Sequence, residues 1–161
     1  MNDSILVKMI LDRWNGSIKS ITELLSQIPD EALQKEIVPG KNRGIYLLGH
    51  LIAVHDDMLR LLAMGGNQYP QLEGPYLREA DKTSELPVTA ADLRSIWAAQ
   101  NESIGQKFEG LNPEDWFQRH MAISAEDFSK EPHRNKLNVV LTRLIHLEYH
   151  AGQLSLLKPK A

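Results

Sequence analysis

Apolar positions recur at three- and four-residue steps in four stretches of the chain. Ile10, Trp14, Ile18, Ile21, Leu25 and Ile28 mark one face of a helix predicted over 4–28. Asn2, Asp3 and Ser4 are candidates to cap its first free amides, and Pro29, which has no N–H to donate, stops it. A second stripe, Leu47, Leu51, Val54, Met58, Leu61 and Leu62, begins near Gly44 and ends at Gly65-Gly66, a helix-terminating pair. The third helix opens at Thr89, with Asp92 placed as in a capping box, and runs through Leu93, Ile96, Trp97, Ile104, Phe108 and Leu111 before closing around Gly110. The fourth, Asn135 to Leu157, is apolar around more than half its circumference. Val139, Leu147, Leu154 and Leu157 form a second stripe there beside Leu137, Leu141 and Leu144, which calls for several packing neighbours.

The connections differ in kind. Residues 65–88 contain three prolines and three glycines and hold no period, so they form a long link, whereas NPEDW at 112–116 suits one short helical turn. The stretch from there to His133 is irregular, and Pro132 marks its last break. Four helices of roughly 20 residues, each about 30 Å long, with no alternating β-branched runs, predict an all-α fold. The architecture is an antiparallel four-helix bundle in one domain, 1–161. Two connections of more than 20 residues imply at least one crossover along the bundle, and the pattern alone leaves open which of them crosses.

Composition narrows the chemistry. The chain has 161 residues, 42% of them apolar, enough for one domain with its own core. It has no cysteine, which removes disulfides, thiolate zinc sites, iron–sulfur clusters and a cysteine nucleophile together. A net charge of -3 argues against nucleic-acid binding by phosphate neutralisation. The N-terminal segment lacks the charge and cleavage pattern of a signal peptide, and no run of 18 apolar residues suggests a membrane span, so a cytoplasmic protein with a small-molecule substrate is expected. The six histidines are the residues left to explain.

His146 and His150, in HLEYHAGQ, stand four apart on one face of the fourth helix, the spacing at which two imidazoles reach one ion. No Glu directly follows the first of them, so the H-E-x-x-H metalloprotease pattern is absent. On the second helix, His50 and His55 lie about 80° and 60° to either side of the apolar stripe, and either one can face a bundle seam. Metal sites in bundles are built from facing helices, and three histidines leave coordination positions open, the catalytic pattern. Against this, a buried histidine is more often a hydrogen-bonded core residue than a ligand. Arg143 and Gln153 are candidate donors behind the site or ordinary bundle residues. His120 and His133 fall in polar stretches and are expected in solvent, and Trp14, Trp97 and Trp116 are expected as anchors of the core or loops.

Three segments, SQIPDEALQ, PGKNRGIYLLGHLIAVHDDML and LIHLEYHAGQL, together resemble the DinB/YfiT-like family, in order and spacing over nearly the whole chain. The resemblance implies a bundle with an up-down-down-up course, which would place the crossover in 65–88. It further implies a divalent metal ion, nickel or zinc, held by one histidine of helix two and an H-x-x-x-H pair of helix four. Here those are His50, His146 and His150, with His55 the weaker candidate. Ala151 stands where many relatives carry arginine before the Gly-Gln pair. A homodimer is also implied.

The activities implied by the resemblance are a metal-dependent hydrolase or a transferase or isomerase that uses a low-molecular-weight thiol. The alternative from another class is a non-catalytic dimeric bundle with structural or vestigial histidines. No carboxylate is well placed as a general base. Asp56 and Asp57 lie too far along the helix axis from His50, and Glu148 should face away from its neighbouring histidines. With no cysteine in the chain, any thiol must come with a cofactor or substrate.

Overall fold

In a computed structural model, which describes residues 3–159, each of the four apolar stripes lies on a helix and turns inward, apart from Leu141 on the fourth. Helix α1, Asp3–Ser26, buries Val7, Trp14, Ile21 and Leu25. It stops two residues short of the predicted end, with Ile28 still buried in the turn before Pro29. Asn2, one of the cap candidates, lies outside the described residues. A short helix α2, Asp30–Leu33, leads to α3, Gly44–Leu61, the most deeply buried of the long helices. Helix α4, Pro70–Glu73, and a single π-turn over Gly74–Arg78 occupy the long connection that follows. Helix α5, Ala90–Glu109, starts at Thr89 with the predicted capping box complete. Helix α6, Ala125–Lys130, is short, and α7, Lys136–Leu154, is capped by Asn135, whose side chain accepts from the Asn138 N–H.

Specific contacts fix the directions of the four long helices. Along α1 and α5, Trp97 Nε1 donates to Thr22 Oγ1 at 2.9 Å, while Trp14 meets Phe108 at the other end, so the two run antiparallel. Gly44 at the start of α3 lies against Leu157 beyond the end of α7, and Asp57 near the end of α3 faces Arg143 of α7. That pair is antiparallel too. The starts of α3 and α5 both adjoin α2, through Gly44 with Leu33 and through the Arg94–Asp30 ion pair. Helices α1 and α7 therefore point one way and α3 and α5 the other, and the connection 62–89 is the crossover.

Its path is determined by residues of α3. The chain turns away at Gly66, with φ of 113°, where a Cβ would lie 2.8 Å from the Arg60 backbone nitrogen. The Asp56 carboxylate then accepts the N–H groups of Gln68 at 3.1 Å and Tyr69 at 3.2 Å. Two turns further back along α3, the Tyr76 ring packs against Gly49. A Cβ there would sit 2.2 Å from the ring, so only glycine admits this approach. At the start of α3, Asp81, whose side chain is 1% exposed, accepts from the Arg43 N–H at 2.7 Å and its guanidinium at 2.6 Å. The crossover is thus fastened at both ends and pressed onto the middle of α3.

The second connection stays at one end of the bundle. A 3₁₀ turn at Pro113–Phe117 sets Trp116 edge-on to Phe108, which agrees with the turn read at 112–116. Helix α6 is a departure from the irregular stretch expected there. Ser124, whose hydroxyl accepts from the Asp127 N–H, is the start signal that the periodicity reading passed over. The breadth of the apolar surface on α7 is only partly used, because Leu141, Ile145 and Tyr149 are exposed. Among the described residues no helix is long and apolar enough to cross a membrane.

Candidate metal centre

Antiparallel packing of α3 on α7 brings His50 opposite His146 and His150, all three half-buried. His146 Nε2 lies 3.1 Å from Nε2 of His50 and 3.1 Å from Nε2 of His150. Donors bound at about 2.0–2.1 Å to one cation stand roughly 2.9–3.4 Å apart in octahedral or tetrahedral sets, so this convergence has the dimensions of a three-histidine site.

Partners behind two of the rings decide which nitrogen carries the proton. His50 Nδ1 is 2.7 Å from the Tyr76 carbonyl oxygen, an atom that only accepts, so Nδ1 bears the hydrogen and Nε2 presents a lone pair. His150 Nδ1 donates in the same way to Gln153 Oε1 at 2.6 Å. His146 has one Nε2 proton at most to offer two neighbouring lone pairs, and its Nδ1 is buried with no partner among the described residues. Neutral rings therefore point lone pairs at one spot, an arrangement that a cation relieves. The residues present fit a divalent metal ion.

The electrostatics favour the same protonation state. Burial lowers the pKa of all three, and for His146 burial, the two other imidazoles and the Arg143 guanidinium bring it down to about 4. Neutral imidazole is the coordinating form. Tyr46 stacks on His50, with 8° between the ring planes and its hydroxyl held by the Glu79 carbonyl, and the Tyr149 ring stands edge-on to His150.

The remaining sequence candidates separate cleanly. His55 points to the other side of α3, 1% exposed, between Trp14 at 5.0 Å and Trp97 at 5.6 Å. Burial, then the nearby His146 and Arg143, lower its pKa to about 3. It is a core residue. Asp56 serves the crossover backbone, Asp57 pairs with Arg60, and Glu148 is exposed, so among the described residues no carboxylate joins the histidine group. Gln153 proves to be the partner of His150. His133 is exposed as expected, while His120 is half-buried and its Nδ1 accepts from the Ala122 N–H. Trp14, Trp97 and Trp116 are all core. Tyr76 was not among the candidates, because it acts through its backbone carbonyl, which has no side-chain signature; Gly49, just before His50, is the trace of it in the sequence.

One and two turns along α3 from His50, Ala53 and Asp57 help line a cavity of about 530 Å³ between α3 and the crossover residues Tyr69, Glu73 and Leu77, and none of the three histidines is in its wall. Its size suits a small organic molecule.

No curated protein matches the chain. The family model of the DinB superfamily matches residues 14–154, from the first buried tryptophan of α1 to the last buried leucine of α7, with all three convergent histidines inside the span. A match of that extent, on a helical bundle of the expected course, establishes that the chain belongs to the DinB superfamily.

Proposed function

We propose that the protein is a metal-dependent enzyme, a hydrolase of a small molecule, with His50, His146 and His150 holding a zinc or nickel ion through Nε2. The observation that carries this reading is the convergence of three neutral rings, with His146 Nε2 3.1 Å from the Nε2 of each of the other two, whose protons are committed to Nδ1. When bound, such an ion supplies Lewis acidity, polarising a substrate bond and lowering the pKa of a water or thiol beside it. The chain's own residues hold the geometry. The Tyr76 carbonyl and Gln153 orient two rings, and Tyr46 and Tyr149 pack beside His50 and His150. Three protein ligands leave at least one position for a reactant.

Metal analysis of protein purified without an affinity tag is the test. About one equivalent of divalent ion, removable by a chelator with loss of thermal stability, is expected. Less than about a tenth of an equivalent after incubation with zinc or nickel, with no change in stability, would leave the non-catalytic bundle as the better description.

A thiol-dependent transferase is the second reading, favoured by the lack, among the described residues, of a carboxylate within the histidine group to take a proton from water. Titration of the zinc-loaded protein with N-acetylcysteine separates the two. Heat absent from the S-methylated analogue supports the transferase, and no heat supports the hydrolase.

We also propose that two copies pair. The support is an exposed apolar strip, Ile5 and Met9 of α1 with Leu141, Ile145 and Tyr149 of α7, between 37% and 65% exposed. These side chains offer roughly 600 Å² per copy, so twofold pairing buries about 1,200 Å², the lower bound of a stable interface.

A further inference from the structure

One cation beside the centre lacks a full partner. Arg143 sits three residues before His146 on the same face of α7, and its charge bears on His50, His55 and His146 alike. Its nearest carboxylate is Asp57, at 3.6 Å, too long for a hydrogen bond. Asp57 is already held by Arg60, whose Nε and Nη2 both donate to Oδ1, at 3.0 and 2.6 Å. Two guanidiniums thus share one carboxylate, and the trio keeps one net positive charge. Arg143 Nε is buried without a partner among the described residues, although about a quarter of the side chain reaches solvent. The same Asp57 forms part of the wall of the 530 Å³ cavity.

We propose that Arg143 is a substrate-binding residue, and that the small molecule taken by this site carries a carboxylate which docks on the Arg143 guanidinium while its reacting end lies at the histidine centre. A planar guanidinium with free donors matches a carboxylate in two-point contact. Arg143 and His146 are three residues apart, about 4.5 Å along the helix axis, so one small molecule can reach both side chains. The inference deepens the metal-enzyme reading, but the docking contact itself needs no ion.

Metal-free protein is therefore the material for the test. Succinate is titrated against it, with the uncharged succinamide as control, and the Arg143 Nε–H and the Ala53 and Asp57 amides are followed by NMR. Succinate is expected to shift all three saturably, with succinamide at least tenfold weaker. Arg143→Gln should weaken succinate at least tenfold, read at the two amides, while zinc still binds at one equivalent. Asp57→Asn removes the competing carboxylate and should tighten succinate severalfold, a gain that no folding defect can imitate. Equal binding of succinate and succinamide, unchanged affinity in Arg143→Gln, or weaker binding in Asp57→Asn would each overturn the proposal. A failure of zinc binding alone would overturn the metal centre and leave this subsite standing.

Discussion

His50 and His55 lie five residues apart on α3 and have opposite roles. Their angular offsets from the apolar stripe are similar, so the helix pattern by itself could not choose between them. The choice is made by residues from elsewhere, the Tyr76 carbonyl at one ring and Trp14 and Trp97 around the other. Replacing His150 or His50 by Ala should reduce bound zinc below about a tenth of an equivalent, measured by elemental analysis. His55→Leu should keep one full equivalent. It should also raise the melting temperature by a few degrees, because a buried imidazole whose nitrogens have no close hydrogen-bond partner among the described residues is exchanged for apolar volume, worth about 1 kcal/mol. Acid should act through the same residues. His55 and His146 titrate near 3 and 4 when folded and near 6.5 when unfolded, so below about pH 6.5 the unfolded metal-free chain binds more protons. Their contribution to stability is complete above that pH and declines as pH falls toward 4. Urea midpoints of the metal-free protein at pH 7, 6, 5 and 4 should decrease in that order, and less steeply for His55→Leu.

At the level of elements, the four long helices were legible because each carries its own 3.6-residue stripe, and the Thr89–Asp92 box was readable from two residues. The crossover was readable only as a link. Its course depends on Tyr76 meeting Gly49, and on Asp81 meeting Arg43 across 38 residues, pairings that no local pattern encodes. Two glycine substitutions separate packing from propensity. Gly49→Ala drives a methyl into the Tyr76 ring, so it should cost about 1–3 kcal/mol in chemical denaturation. The displaced Tyr76 carbonyl should also release His50, so zinc affinity measured by calorimetry should fall at least tenfold. Gly105→Ala, within α5 and with nothing within 4 Å of its added carbon, should stabilise by about 0.5–1 kcal/mol and leave zinc binding alone.

For the whole molecule, the exposed α7 side of the α1–α7 strip departs from the sequence reading, which expected a helix apolar on so many sides to be buried against several neighbours. Ile145, near the middle of the strip, should govern self-association. Wild-type protein should elute as a dimer in light-scattering chromatography and Ile145→Asp as a monomer of unchanged helicity; a monomeric wild type would remove the dimer. The up-down-down-up course has a kinetic consequence. His50 and His146 are 96 residues apart in the chain and meet only when α7, the last long helix, closes against α3. Contacts so distant in sequence are bought late on the folding path, because the loop entropy must be paid before they form. Zinc therefore has no complete site in the unfolded chain or early on the path, so adding it should leave the refolding arm of a denaturant chevron in place and lower the unfolding arm alone, making the ion a latch on the finished bundle rather than a seed for it.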